Sequence, residues 1–151
     1  MKTWRKKNWQ TVMKQVPDGL IFFKAADEKL RNGDVFYFFR QDSDFLYLTG
    51  ITHPGFSLLL DPKTKTSHLF IPDLSDLHRI WVGRQLSKAQ AKKLIGTTHV
   101  HYVSEMKAVC QTLKKKYRKL YTLKKMAHAL PESLRILKKD DTKLRLALDS
   151  L

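Results

Sequence analysis

The run FRQDSDFLYLTG, residues 39–50, crowds Arg40, Gln41, Asp42, Ser43 and Asp44 together and follows them with Phe45, Leu46 and Leu48. Two readings compete for it: carboxylates gathered for acid–base chemistry, or the decorated start of a short helix. Asp42 or Ser43 can accept a backbone N–H at a helix start, and Asp44 then falls in the first turn, where the helix dipole favours an anion. Phe45, Leu46 and Leu48 supply an apolar face. Gly50 suits a left-handed C-terminal position, and Pro54 follows shortly after it. The pattern predicts a short capped helix.

Working outward toward the N-terminus, VFYFF (35–39) is aromatic enough for a strand or extended segment, and the turn RNGD precedes it. Leu20 to Phe23 reads as a buried strand. Before it, Trp4, Val12 and Val16 are interleaved with Lys, Arg and Gln as an amphipathic helix that ends at the turn Pro17-Asp18-Gly19.

Toward the C-terminus, FSLLL (56–60) and SHLFI (67–71) flank DPKTKT and pair as an antiparallel hairpin. PDLSDLHRIW predicts a helix capped by Asp73 or Ser75 and ended by Gly83. SKAQAKKLIG predicts another between a Ser87 cap and Gly96. HVHYV is a strand, SEMKAVCQTLKKKY a further capped helix, and KLYTL a short strand. After Pro131 the chain reads as helical or irregular, and it stops at Leu151 in mid-pattern, as a longer chain would. The expected class is α/β, with a mixed sheet of about five or six strands flanked by helices and everything in one domain.

The charge is lopsided: 29 Lys plus Arg against 14 Asp plus Glu, a net +15, concentrated after Lys107. Such an excess raises nucleic acid as a partner. Base stacking needs aromatics among the charges, however, and only Tyr117 and Tyr121 offer it there. The lone Cys110 excludes an internal disulfide, occupies an apolar helical position and suits a reducing compartment. The basic N-terminus lacks the apolar stretch of a targeting signal, and no run is long enough to span a membrane. A cytoplasmic location is expected.

The search for chemistry finds little. His99 and His101 share a strand face, but no third ligand is evident, and Asp73, Asp76 and His78 serve better as caps and surface. No G-x-S-x-G, dinucleotide fingerprint or Walker loop occurs. The residues carry no visible active site and no cofactor.

Two stretches resemble a family. FRQDSDFLYLTGITHP (39–54) is similar to the yRQdSdFyYLTGf.eP stretch of the N-terminal domain of Xaa-Pro aminopeptidases, and LFIPDLSDLHRIWVGRQLS (69–87) resembles that domain's LF…d…e.W.G.R stretch. They stand in the family's order with the hairpin between them. The resemblance implies a creatinase/prolidase-type N-terminal domain that is not itself catalytic. A separate metal-binding domain of the same chain would follow it, holding two divalent ions, manganese above all, on two Asp, one His and two Glu. It further implies a peptide substrate, cleavage ahead of proline and a homo-oligomer, with no membrane. Within it, Arg40 to Asp44 would fix the helix and its approach to the catalytic domain, with Gly50, Pro54 and Gly83 as structural positions. Trp81 and Arg84 suit a substrate-facing or intersubunit rim, as a large amphipathic ring and a guanidinium fork. His53, where the family commonly has an acid, bears on the substrate entrance. Leu46 replaces a frequent aromatic. The alternative is a small basic module for nucleic acid or protein.

Overall fold

The computed structural model describes residues 2–27, 30–32, 35–36, 40–72, 87–135, 138–140 and 142–151. Its strands are β1 (Gly19–Lys24), β2 (Leu30–Asn32), β3 (Val35–Phe36), β4 (Ser57–Asp61), β5 (Thr66–Ile71), β6 (His99–Tyr102), β7 (Lys119–Thr122) and β8 (Lys138–Asp140). Its α-helices are α1 (Lys2–Gln15), α2 (Ser43–Thr49), α3 (Lys88–Ile95), α4 (Met106–Lys114) and α5 (Thr142–Asp149). Six strands form one mixed sheet in the order β6-β5-β4-β1-β7-β8, while β2 and β3 make a separate two-stranded ladder. β1 pairs antiparallel with β4 and parallel with β7; β5 pairs antiparallel with β4 and parallel with β6.

Side chains alternate across the sheet, so β1 serves two cores at once. Ile21 and Phe23 face a cluster with Trp9, Val12, Met13 and Val16 of α1, Phe45 and Leu48 of α2, and Leu144 of α5. Leu20 and Phe22 face a second cluster with Leu59, Phe70, and Cys110 and Leu113 of α4. Helices on both faces explain why GLIFF and SLLL read as continuous apolar runs and not as alternating ones. Burial pushes the Cys110 thiol up to about 12, as a packed thiol requires. Gly19 lets β1 pass β7 closely: a Cβ there would stand 2.6 Å from the Tyr121 ring and 2.9 Å from the Lys119 carbonyl.

Two local readings of the sequence need correction. β8 lies in the stretch after Pro131 that reads as helical or irregular. It pairs in parallel with β7 through its main chain, and its KKD sequence carries no apolar alternation to announce a strand. The start of α4 is not capped in the expected way. A 3-10 turn, Val103–Glu105, leads into it, and the Glu105 carboxylate accepts the Tyr102 N–H at 2.6 Å. The helix expected from Asp73 lies outside the described residues.

Candidate functional site

The corner built by RQDSD is a junction of main chains. Gln41 is buried, and its amide serves four of them. Oε1 accepts the N–H of Ala26, just past β1, at 2.7 Å and of Asp42 at 3.0 Å. Nε2 donates to the carbonyls of Ile51 at 3.1 Å and His53 at 3.0 Å. Glutamine suits this position because one planar group offers both an acceptor and donors. Of the two cap candidates, Asp42 takes the place: its Oδ1 accepts from Asp44 N at 3.0 Å and Phe45 N at 3.1 Å. Gly50 closes α2 at φ 73°, and its N–H reaches the Leu46 carbonyl. The Trp9 indole donates to the Leu48 carbonyl at 3.0 Å and ties α1 to α2.

Asp44 works over a longer range. Its two oxygens receive the Arg145 guanidinium of α5, both bonds at 3.2 Å, and Lys125 at 2.7 Å. Burial by itself would push this carboxyl up, but the Arg145 and Lys125 bonds outweigh burial and hold it below the usual carboxylate range. Lys125 also pairs with Asp42. Both acids of the motif are thus engaged in caps and in ion pairs with the C-terminal third of the chain. Arg40 and Ser43 are exposed, Pro54 is buried, and His53 is exposed in the bend beyond Ile51. Trp81, Gly83 and Arg84 lie outside the described residues.

The family model for the aminopeptidase P N-terminal domain matches residues 5–121, which include this whole corner. The chain belongs to that family. It is 31% identical to the Xaa-Pro aminopeptidase of Haemophilus influenzae over 107 residues, 70% of this chain and 25% of that protein. It is 36% identical to the human Xaa-Pro dipeptidase over 96 residues, 63% of this chain and 20% of that one. Among solved structures, Escherichia coli aminopeptidase P with the inhibitor Pro-Leu superposes with a TM-score of 0.70 at 28% identity, covering 82% of this chain and 29% of that one. The chain therefore spans a quarter or less of the curated relatives named here.

In this aminopeptidase P N-terminal domain the sheet edge carries a cluster that sequence reading leaves incomplete. β5 and β6 pair with His68 opposite His99, which adds a third imidazole to His99 and His101. His68 Nδ1 lies 3.0 Å from His101 Nε2, and the three rings stack, with centroids 4.8 to 6.2 Å apart. Stacked rings do not point their lone pairs at one centre. Among the described residues no three His, Cys, Asp or Glu side chains are placed to hold a metal. Burial first, and then the neighbouring charges of His99 and His101, push His68 down to about 4.

The nucleic-acid alternative loses its aromatics. Tyr117 and Tyr121 are 5% and 1% exposed, so neither can stack on a base. The Tyr117 hydroxyl donates to the buried Asp61 and accepts the Lys63 N–H at 2.8 Å, while Tyr121 donates to Asp18 at 2.7 Å. Both rings anchor the domain. No helix among the described residues is long and apolar enough to cross a membrane.

Proposed function

We propose that this chain is the non-catalytic N-terminal domain of a cytoplasmic, oligomeric Xaa-Pro aminopeptidase. It would shape substrate access and subunit contacts, while a second domain of the same chain, dependent on divalent metal of the manganese type, cleaves the bond ahead of proline. The observation that carries the reading is the family match over residues 5–121, together with motif carboxylates engaged wholly in holding the domain together. The same bonds would present α2 at a fixed angle to the catalytic domain. Trp81 and Arg84 are the residues assigned to the peptide or to a neighbouring subunit, with His53 at the entrance. A ring followed two residues later by Gly83 stands where a helix would stop, and a ring at such an edge can lie against a proline or an apolar side chain.

The test is hydrolysis of an Xaa-Pro peptide. The isolated chain should release no N-terminal residue with Mn2+ present, and turnover that survives removal of contaminating peptidases refutes the reading. In the longer enzyme carrying this domain, Trp81→Ala should lower kcat/KM about tenfold, or ~1.4 kcal/mol, at an unchanged melting temperature. A loss of about 3–5 kcal/mol of stability would show instead that the ring is packing.

A further inference from the structure

Among the described residues β6 is an edge of the six-stranded sheet, so its main chain pairs with β5 alone, and its side chains are exposed or half-buried. On one face Val100 and Tyr102 pack into the core cluster that contains Ala91 of α3. On the other face β6 is joined to β5 through the histidines. Within that stack the His68 and His101 rings are offset end to end. Their planes are 12° apart and their centroids 5.3 Å apart, about the separation that two imidazoles must have when they meet through a 3.0 Å contact lying in line with both rings. His68 Nδ1 and His101 Nε2 therefore point at each other, as a hydrogen bond requires.

That contact counts protons. A neutral imidazole carries one proton on two nitrogens, so two neutral rings place one proton between them, donated by one and accepted by the other. One added proton still fits, because it can go to His101 Nδ1 or to His68 Nε2, where Thr66 Oγ1 at 3.3 Å accepts it. A second does not fit, since both facing nitrogens would then carry hydrogen. Burial pushes both rings down, His68 to about 4. The charged groups around the pair come from four elements. His99 on β6, Lys116 beyond α4 and Lys88 on α3 oppose a further proton, while Asp61 on β4 and Glu105 ahead of α4 favour one. Both acids are already paired, Asp61 with Lys116 and Glu105 with Lys88.

We propose that the His68–His101 contact is a proton-operated catch on the sheet edge, which holds β6 against β5 while one proton lies between the rings and releases β6 when both rings are charged. An edge strand is a part of a sheet that can open by itself. Once open, both rings titrate near the ordinary value of about 6.5 and take two protons, whereas the closed pair takes at most one. Above about pH 7 both states are neutral and opening is independent of pH; as pH falls through 6.5 the open strand takes protons first, so acid favours release.

The catch is read in the 151-residue chain by NMR. At about pH 7.5, 15N spectra of the imidazoles should show one of the two facing nitrogens protonated, the other bare, and an N–N coupling between them. Amide hydrogen exchange, corrected for the intrinsic rate at each pH, gives the opening constant of residues 99–102. It should rise more than about tenfold per pH unit between about pH 6 and 4.5, which means uptake of more than one proton, while residues 19–24 of β1 stay closed. His68→Asn/His101→Gln keeps an amide hydrogen bond at the two facing positions and cannot titrate, so it should make the opening of β6 independent of pH. His128→Gln, in the exposed turn after β7, should leave the wild-type dependence unchanged. Facing nitrogens that show no coupling, a rise of tenfold or less per pH unit, a dependence that survives in the double variant, or β6 opening only together with β1 would each overturn the proposal.

Discussion

Replacing Gln41 by Leu keeps the bulk of the side chain and deletes all four hydrogen bonds of its amide. Each such bond is worth about 1 kcal/mol net, and more where the abandoned partner stays buried. The partners differ in that respect. The Ala26 and Asp42 N–H groups lie on half-buried residues within reach of water, whereas the carbonyl of Ile51 belongs to a residue only 7% exposed. Partial rescue by water on one side and a buried orphan on the other give an expected loss of about 2–4 kcal/mol. That is a large share of the ~5–15 kcal/mol typical of a domain.

Urea unfolding followed by tryptophan fluorescence reads this directly, because Trp9 bonds to the Leu48 carbonyl of the helix that Gln41 helps to start. The midpoint should fall with an unchanged slope. Gln41→Glu sharpens the test. A carboxylate still accepts from Ala26 and Asp42, but it faces the carbonyls of Ile51 and His53 with no proton to give. This variant should be destabilised at pH 7 and partly recover as acid restores a donor. A Gln41→Leu change below about 0.5 kcal/mol, or a pH-independent Gln41→Glu, would refute the junction role.

Asp42→Ala should cost about 1–2 kcal/mol and Ser43→Ala almost nothing, since Asp42 alone accepts the cap bonds; equal costs in urea melts would contradict the cap geometry. Asp44→Asn should cost about 1 kcal/mol at neutral pH and little in acid, because a carboxyl held low stabilises the fold above its usual range and loses that effect as pH falls through its folded value. A cycle with Arg145→Ala that proves additive would remove Arg145 as its partner. His68, pushed down from 6.5 to about 4, makes no contribution where both states are neutral; as pH falls between those values the unfolded chain takes the proton first, and stability should drop by up to about 2–3 kcal/mol. Proton NMR of its imidazole checks this, and a titration near 6.5 would show that the ring is not buried neutral.

What could be read in advance follows from the range of each interaction. α2 was legible because its cap, first-turn acid, apolar face and Gly50 all lie within a few residues. α3 was legible for the same reason, with Ser87 and Gly96 at its ends. The strands of the core announced themselves by composition. Gln41 was visible as part of a motif but not as a junction, since its partners are bare main-chain atoms of residues as far off as Ala26. The Asp44–Arg145 pair spans 101 residues, and no local pattern records it. His68 joins His99 and His101 only through the parallel register of β5 and β6, which follows from the topology. β8 gave no signal, because an edge strand held by its backbone needs no apolar side chains.

The placement of these long-range bonds bears on how so charged a motif serves the fold. α2 is seven residues long, too short to be stable alone, so caps and packing must both hold it. Gln41 fixes its start to the end of β1 and to the following loop, Asp44 fixes its first turn to α5, and Trp9 fixes its end to α1. Three separate parts of the chain thereby determine one short helix. A carboxylate used in this way has to stay ionised and still, whereas a general acid or base has to exchange its proton near neutral pH. Asp44, held low by Arg145 and Lys125, meets the first requirement and fails the second. The same polar residues that suggest an active site in sequence are therefore what a rigidly oriented surface needs, and α2 holds its angle to the sheet through them.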